Sequence, residues 1–286
     1  MIKSFLPSNT QEHLENLAQE IVTSITKPSK LLAVLLQGSV AKGIADEYSD
    51  IELMCIWSSA PTAEERANLF ANLKKQEIFS EDLENGEWCS SFSYKQAKID
   101  ICHDDIALLH QTIDDVMAAR TTSIASQTLL ASIQDAKPLF GEEVFNELLK
   151  SFANYPDALA IKCIQVNALF HEWTMRNALL DRKDTIALHH LIDMTVLQML
   201  RLIFAFNKVY LRNYNFKWMD VQLPQLECKP VHLDKRLRSV LSGLSENSLS
   251  ELTALLNDTI DLASQQYPKM DFTEAKKILD YTRQSN

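Results

Sequence analysis

Two apolar runs, Leu31 to Leu36 and Ile51 to Trp57, bracket a segment that holds two of the chain's five glycines, Gly38 and Gly43. In a chain this poor in glycine, such a close pair marks backbone that must turn sharply or approach another group. The first run is unbroken and ends at Gln37-Gly38-Ser39, so it reads as a buried strand entering a turn. The second is entered through Asp50 and carries Glu52. Residues two apart on a strand share a face, so these two carboxylates project side by side. Flanked by Ile51 and Leu53, they repel each other unless a cation lies between them.

Mg²⁺ is the natural candidate, a hard ion held by one or two carboxylates plus substrate phosphates. The Gly38 backbone and the N–H and hydroxyl of Ser39 can meet a phosphate tail, and Lys42 adds positive charge to that contact. Asp100 is an acid in the otherwise apolar run Ile99-Asp100-Ile101-Cys102, which is costly without a partner. Three acids from two strands can hold two metals bridging the attacking and leaving oxygens of a phosphoryl or nucleotidyl transfer. Alone, an acid-x-acid pair on a strand usually marks a solvated edge. The ordered set of strand, Gly-Ser, acid pair in a second apolar strand and lone strand Asp points instead to a metal–nucleotide site.

This set resembles the nucleotidyltransferase fold superfamily, and within it the kanamycin (aminoglycoside) nucleotidyltransferases. The residues behind the likeness are Gly38-Ser39, Tyr48 to Cys55, and Gly86-Glu87-Trp88 ahead of the strand with Asp100. It covers about residues 14–115. The resemblance implies that Asp50 and Glu52 bind Mg²⁺, that Ser39 holds nucleotide phosphate, and that Asp100 takes a third acidic position where the kanamycin enzymes have Glu. A longer stretch between the acid-pair strand and Gly86 departs from the family and leaves the acceptor open. A weaker match lies further on, where those enzymes carry a Glu with a basic residue four positions later. Here Glu172 and Arg176 have that spacing, which on one helix face would pair a general base with a phosphate contact. A routine surface ion pair has the same spacing, and His171 is the alternative base. The family's two-chain site implies a homodimer.

Composition limits the partners. The 286 residues carry 28 Lys and Arg against 38 Asp and Glu, a net charge of -10. A surface this acidic repels phosphate backbones, so no nucleic-acid partner is expected, whereas cationic small molecules and metal ions suit it. Five cysteines without a C-x-x-C pair argue against a zinc ribbon or disulfide scaffold and fit a reducing cytoplasm. The N-terminus lacks the apolar core of a signal peptide. The apolar stretch Met194 to Leu211 is broken by Gln198, Arg201, Asn207 and Lys208, so a buried helix is expected rather than a membrane span.

The pattern predicts an α/β domain with a mixed sheet over residues 1–140 and an all-helical substrate-binding domain over 141–286. Helices are expected at 11–26, 61–76, from Asp104 toward Arg120, from Pro156 to about Leu180, from Thr185 to Leu211, from Leu249 to Ser264 and from Thr273 to Arg283, with a long connection at 212–248. The expected activity is Mg²⁺-dependent transfer of a nucleoside monophosphate, AMP from ATP, to a hydroxyl of a small acceptor such as an aminoglycoside. Alternatives are a protein-modifying nucleotidyltransferase, a ribonuclease using the R-x₆-H spacing of Arg182 and His189, and a non-catalytic nucleotide-binding module. Asp184, His189 and His190 could also line a substrate cleft. His103-Asp104-Asp105 reads as a helix cap, and Phe204, Phe206, Tyr210 and Trp218 as core.

Overall fold

Leu14, Leu17, Ala18, Ile21 and Val22 recur every three or four residues, and they form the buried stripe of helix α1 (Thr10–Ser24). The computed structural model describes residues 10–25, 27–75, 77–80, 83–84, 87–212 and 217–281; Gly86 lies outside them. After α1 come β1 (Leu31–Gln37), a short helix α2 (Gly38–Lys42), β2 (Ile51–Trp57), α3 (Ala63–Leu69), β3 (Glu77–Ser80), β4 (Leu83–Glu84), β5 (Glu87–Tyr94) and β6 (Ala97–Asp105). Helices α4 (Ile106–Met117) and α5 (Ile124–Gln134), strand β7 (Lys137–Phe140) and α6 (Glu142–Ser151) follow.

The strands form one mixed sheet in the order β3-β5-β6-β2-β1-β7, with β4 paired to β5. Only β2 and β6 run parallel among the described pairs. On one face, Val34, Leu36, Ile51, Leu53, Cys55, Trp57, Phe92, Ile99 and Ile101 pack in a single core with the α1 stripe. Each such large side chain removed from water contributes about 1.5–3 kcal/mol. The alternate residues of β6, Lys98, Asp100 and Cys102, face the other way, as its alternating burial shows.

The chain divides into two compact units, the first made of residues up to 115 with 129–153, the second of 116–128 with 154–286. The second is helical: α7 (Asp157–Asn167), a 3-10 turn (His171–Met175), α8 (Arg176–Asp181), α9 (Thr185–Phe206), α10 (Met219–Gln222), α11 (Leu233–Leu241), α12 (Glu246–Gln266) and α13 (Thr273–Asp280). By length and composition α9 could cross a membrane, yet half of its most apolar window is buried within the protein. It packs against α7, α8 and α12.

Several expected elements differ, each for a physical reason. The helix expected from Pro156 to Leu180 is broken after Asn167, where the Gln198 amide on α9 donates to the carbonyls of Asn167 and Leu169 at 3.0 Å each. Helix α9 likewise ends at Phe206 rather than Leu211, where the Asn207 amide donates to the carbonyls of Ile203 and Cys228 at 2.8 and 2.6 Å. The polar helix expected through Gln76 stops at Leu69, after opening on a capping box between Thr62 and Glu65. Asp104 and Asp105 end β6, and Asp105 caps the next helix by accepting from Ala107 N–H at 2.8 Å. The expected connection at 212–248 contains α11, whose buried Leu233, Leu237 and Val240 make one short apolar stripe.

Candidate active site

Gly38 follows β1 directly in a left-handed conformation, φ +66°, and starts α2, which closes on Gly43 at φ +72°. The sequence expects a turn here; the structure has a single short helix. Glu52 explains the glycine. A Cβ at position 38 would sit 2.5 Å from the Glu52 carboxyl carbon and 2.6 and 2.7 Å from its oxygens. Only a residue without a side chain lets that carboxylate lie on the backbone.

Directly paired residues share a sheet face, and the register lays a polar row across four strands. Ser91 on β5 faces Asp100 on β6, Asp100 lies beside Glu52 on β2, and Glu52 faces Gln37 on β1. The row lines a cavity of about 480 Å³ together with Lys98, Cys89 and Cys102. The Ser91 hydroxyl donates to Asp100 Oδ1 at 2.5 Å, and the Gln37 amide donates to Ser132 Oγ at 3.2 Å. Lys98 sits one step along the row. Its Nζ is 2.5 Å from Asp100 Oδ2 and 3.6 Å from Asp50 Oδ2, so one ammonium lies between the two carboxylates.

The electrostatics follow from that packing. Burial, and then the hydrogen bond with Asp100, hold the Asp50 carboxyl above its ordinary range. Burial also works to raise Asp100, but Lys98, Ser91 and Asp50 outweigh it and hold this carboxyl below its ordinary range. Lys98 is raised: burial opposes its charge, and the bond to Asp100 and the attraction of both carboxylates prevail. Asp100 is thus the ionised partner and Asp50 the better proton holder of a hydrogen-bonded pair. The Lys98 ammonium is the cation that offsets the charge of the pair.

The sequence expects Asp50, Glu52 and Asp100 to converge on metal ions. The structure brings all three to one face but orders them differently: Asp50 and Asp100 clasp Lys98, and Glu52 lies on Gly38. Among the described residues no group of three or more His, Cys, Asp or Glu side chains stands ready to hold a metal ion. The donor set is nonetheless that of a hard cation, all carboxylate oxygen with a hydroxyl beside it. Of the phosphate contacts expected, Ser39 is buried in α2, and Lys42 lies 3.4 Å from Asp135.

In the second unit, Glu172 lies in the 3-10 turn and Arg176 begins α8, so one continuous helix face does not join them. Glu172 lines a groove of about 630 Å³ with Trp173, Met175, His190, Met194 and Arg201. Arg176 is buried instead. It donates to the carbonyls of Trp173, Tyr281 and Leu279 at 3.0, 3.1 and 3.3 Å, satisfying the end of α13. His171, Asp184 and His189 are exposed, as is Arg182 at the end of α8. His103, expected in a helix cap, is a core residue whose Nδ1 accepts from the Trp57 indole at 3.2 Å.

Ser91, Lys98 and Gln37 escape the sequence reading. Lys98 carries a signal, because it is two residues before Asp100 on the same strand. Ser91 has one only through the hairpin register.

A family model described as a domain of unknown function (DUF4037) matches residues 122–219. No curated protein matches the chain. The crystal structure of a nucleotidyltransferase-like protein from Exiguobacterium sibiricum 255-15 is similar at 10% identity and a TM-score of 0.39, over 91% of this chain and 80% of that one.

Proposed function

We propose that the polar face of the sheet takes up ATP with Mg²⁺, and that the chain transfers the nucleoside monophosphate to a hydroxyl of a small acceptor, releasing pyrophosphate. The Asp50–Lys98–Asp100 cluster beside Glu52 is the observation that carries this reading. Two carboxylates, Glu52 and Asp100, line the cavity wall, and Lys98 balances Asp100 together with the neighbouring Asp50. Buried and half-buried ion clusters of this kind stabilise a fold little, so their use is better sought in a ligand.

Asp50 and Asp100 would hold the cation, with the Lys98 ammonium giving up its place between them. Mg²⁺ bound there supplies charge neutralisation and orientation for the triphosphate. The chain's own residues do the rest. Gly38 leaves room for the Glu52 carboxylate, the Gly38-Ser39 backbone and hydroxyl meet phosphate oxygens, and Lys42 at the end of α2 adds charge. A polycationic acceptor of the aminoglycoside kind suits the net charge of -10.

The test is turnover. The protein is incubated with labelled ATP, Mg²⁺ and a panel of hydroxylated compounds, and pyrophosphate is measured. Release that depends on one acceptor class, and falls by about 100-fold or more in Asp50→Asn, is expected. Undiminished release in Asp50→Asn would remove the assignment.

A further inference from the structure

Five cysteines spread from 55 to 228 give no pairing pattern in the sequence, yet the sheet brings two of them together. Cys89 on β5 and Cys102 on β6 are direct partners in an antiparallel ladder, with their Sγ atoms 3.4 Å apart. Directly opposed residues in such a ladder have Cα atoms about 4.5–5.5 Å apart, inside the range that a disulfide spans. The sulfurs need to approach by only about 1.4 Å to reach a bond of about 2.0 Å, a movement within side-chain rotation. Both thiols are partly exposed and line the carboxylate cavity, whereas Cys55 and Cys163 are buried.

We propose that Cys89 and Cys102 are a modification site: an oxidisable dithiol that a hydroperoxide closes to a disulfide across β5 and β6. One sulfur attacks the peroxide O–O bond, taking one oxygen as a sulfenic acid while the other leaves as water. The second thiol then attacks that sulfur, the S–S bond forms, and the sulfenic oxygen leaves as a second water. Two thiols and one hydrogen peroxide thus give one disulfide and two waters, with two electrons passing from sulfur to oxygen. A small thiol reverses the step by exchange.

The location gives the modification a consequence. Cys102 is two residues from Asp100 on the same face of β6, and Cys89 is two residues from Ser91, which holds Asp100. A bond joining this rung fixes the two strands against each other one step below the carboxylate row. An effect on nucleotide turnover rests on the function proposed above; the bond itself does not.

Trypsin separates the pair, because cleavage after Lys75, Lys95, Lys98 and Arg120 puts Cys89 in residues 76–95 and Cys102 in residues 99–120. The reduced protein is treated with an equivalent of hydrogen peroxide, its remaining thiols are blocked with N-ethylmaleimide, and it is digested without reductant. The expected result is a cross-linked pair of these two peptides that dithiothreitol releases. It forms about tenfold or more faster than the Cys55 and Cys163 thiols are lost, and it is absent from Cys89→Ser and Cys102→Ser. Recovery of both peptides with blocked thiols, or cross-links shared indiscriminately with the other cysteines, would overturn the proposal. Neither outcome depends on whether the protein turns over ATP.

Discussion

Replacing Gly38 by alanine turns the geometry of the cavity into an energy. Two separable penalties are built into that position. The backbone is left-handed, φ +66°, which costs an L-residue about 1–2 kcal/mol whatever surrounds it. The new methyl would also lie 2.5 Å from the Glu52 carboxyl carbon, well inside van der Waals contact. That carboxylate ends a flexible side chain, so it turns away rather than forcing the backbone apart, at a cost of about 1 kcal/mol for leaving its rotamer and partners. Gly38→Ala is therefore expected to lower the local unfolding free energy by about 2–3 kcal/mol. In a Glu52→Ala background the backbone penalty persists and the clash does not, leaving about 1–2 kcal/mol. The difference, about 1 kcal/mol, is the coupling between the two positions. Amide hydrogen exchange of β1 and β2 measures it in the unit concerned, without requiring the whole chain to unfold in one step. Equal penalties in the two backgrounds, within about 0.3 kcal/mol, would show that Glu52 does not lie on Gly38.

Two further predictions concern buried ionisable groups. Burial, with a smaller push from Arg66, lowers the His103 pKa from 6.5 to about 3. The unfolded chain thus binds a proton that the folded one refuses, and stability present above pH 6.5 is lost as pH falls toward 3. From pH 7 to pH 4 this one group removes about 3 kcal/mol, so urea midpoints should fall more steeply with acid in the wild type than in His103→Gln; parallel curves would refute it. Arg176→Ala removes three side-chain hydrogen bonds to backbone carbonyls and should destabilise the helical unit by about 2–4 kcal/mol, while exposed Glu172→Gln should stay within about 0.5 kcal/mol. Comparable losses in the two urea titrations would contradict the placement of Arg176 at the end of α13.

The parts of the fold legible in the sequence were those where a pattern runs long enough to be periodic. The α1 stripe, the unbroken β1 run and the acid-bearing β2 each declare their faces without help from the rest of the chain. Strands β3, β4 and β7 span four residues or fewer, too short for alternation to show. The break after Asn167 was hidden for another reason: its carbonyls are satisfied by Gln198, a partner thirty residues away that no local pattern announces. At the candidate site, Gly38, Asp50, Glu52 and Asp100 stand out because each breaks the local pattern, a glycine directly after a strand or an acid at or within an apolar strand. Ser91, Cys89 and Cys102 violate nothing locally. Their meeting depends on the two-residue hairpin turn at Lys95 and Gln96, φ 49° and 70°, from which the pairs Ser91–Asp100 and Cys89–Cys102 follow by counting back along the strands. Lys98 stands two residues before Asp100, and the approach of Asp50, just ahead of β2, makes it a bridge.

Calorimetric titration with ATP asks most directly whether the Asp50–Asp100 pair exists to grip a cation. ATP is expected to bind in the presence of Mg²⁺, chelation to abolish the heat, and Asp50→Asn combined with Asp100→Asn to abolish it equally. Binding of the same strength without a divalent ion, or in the doubly substituted protein, would contradict that expectation.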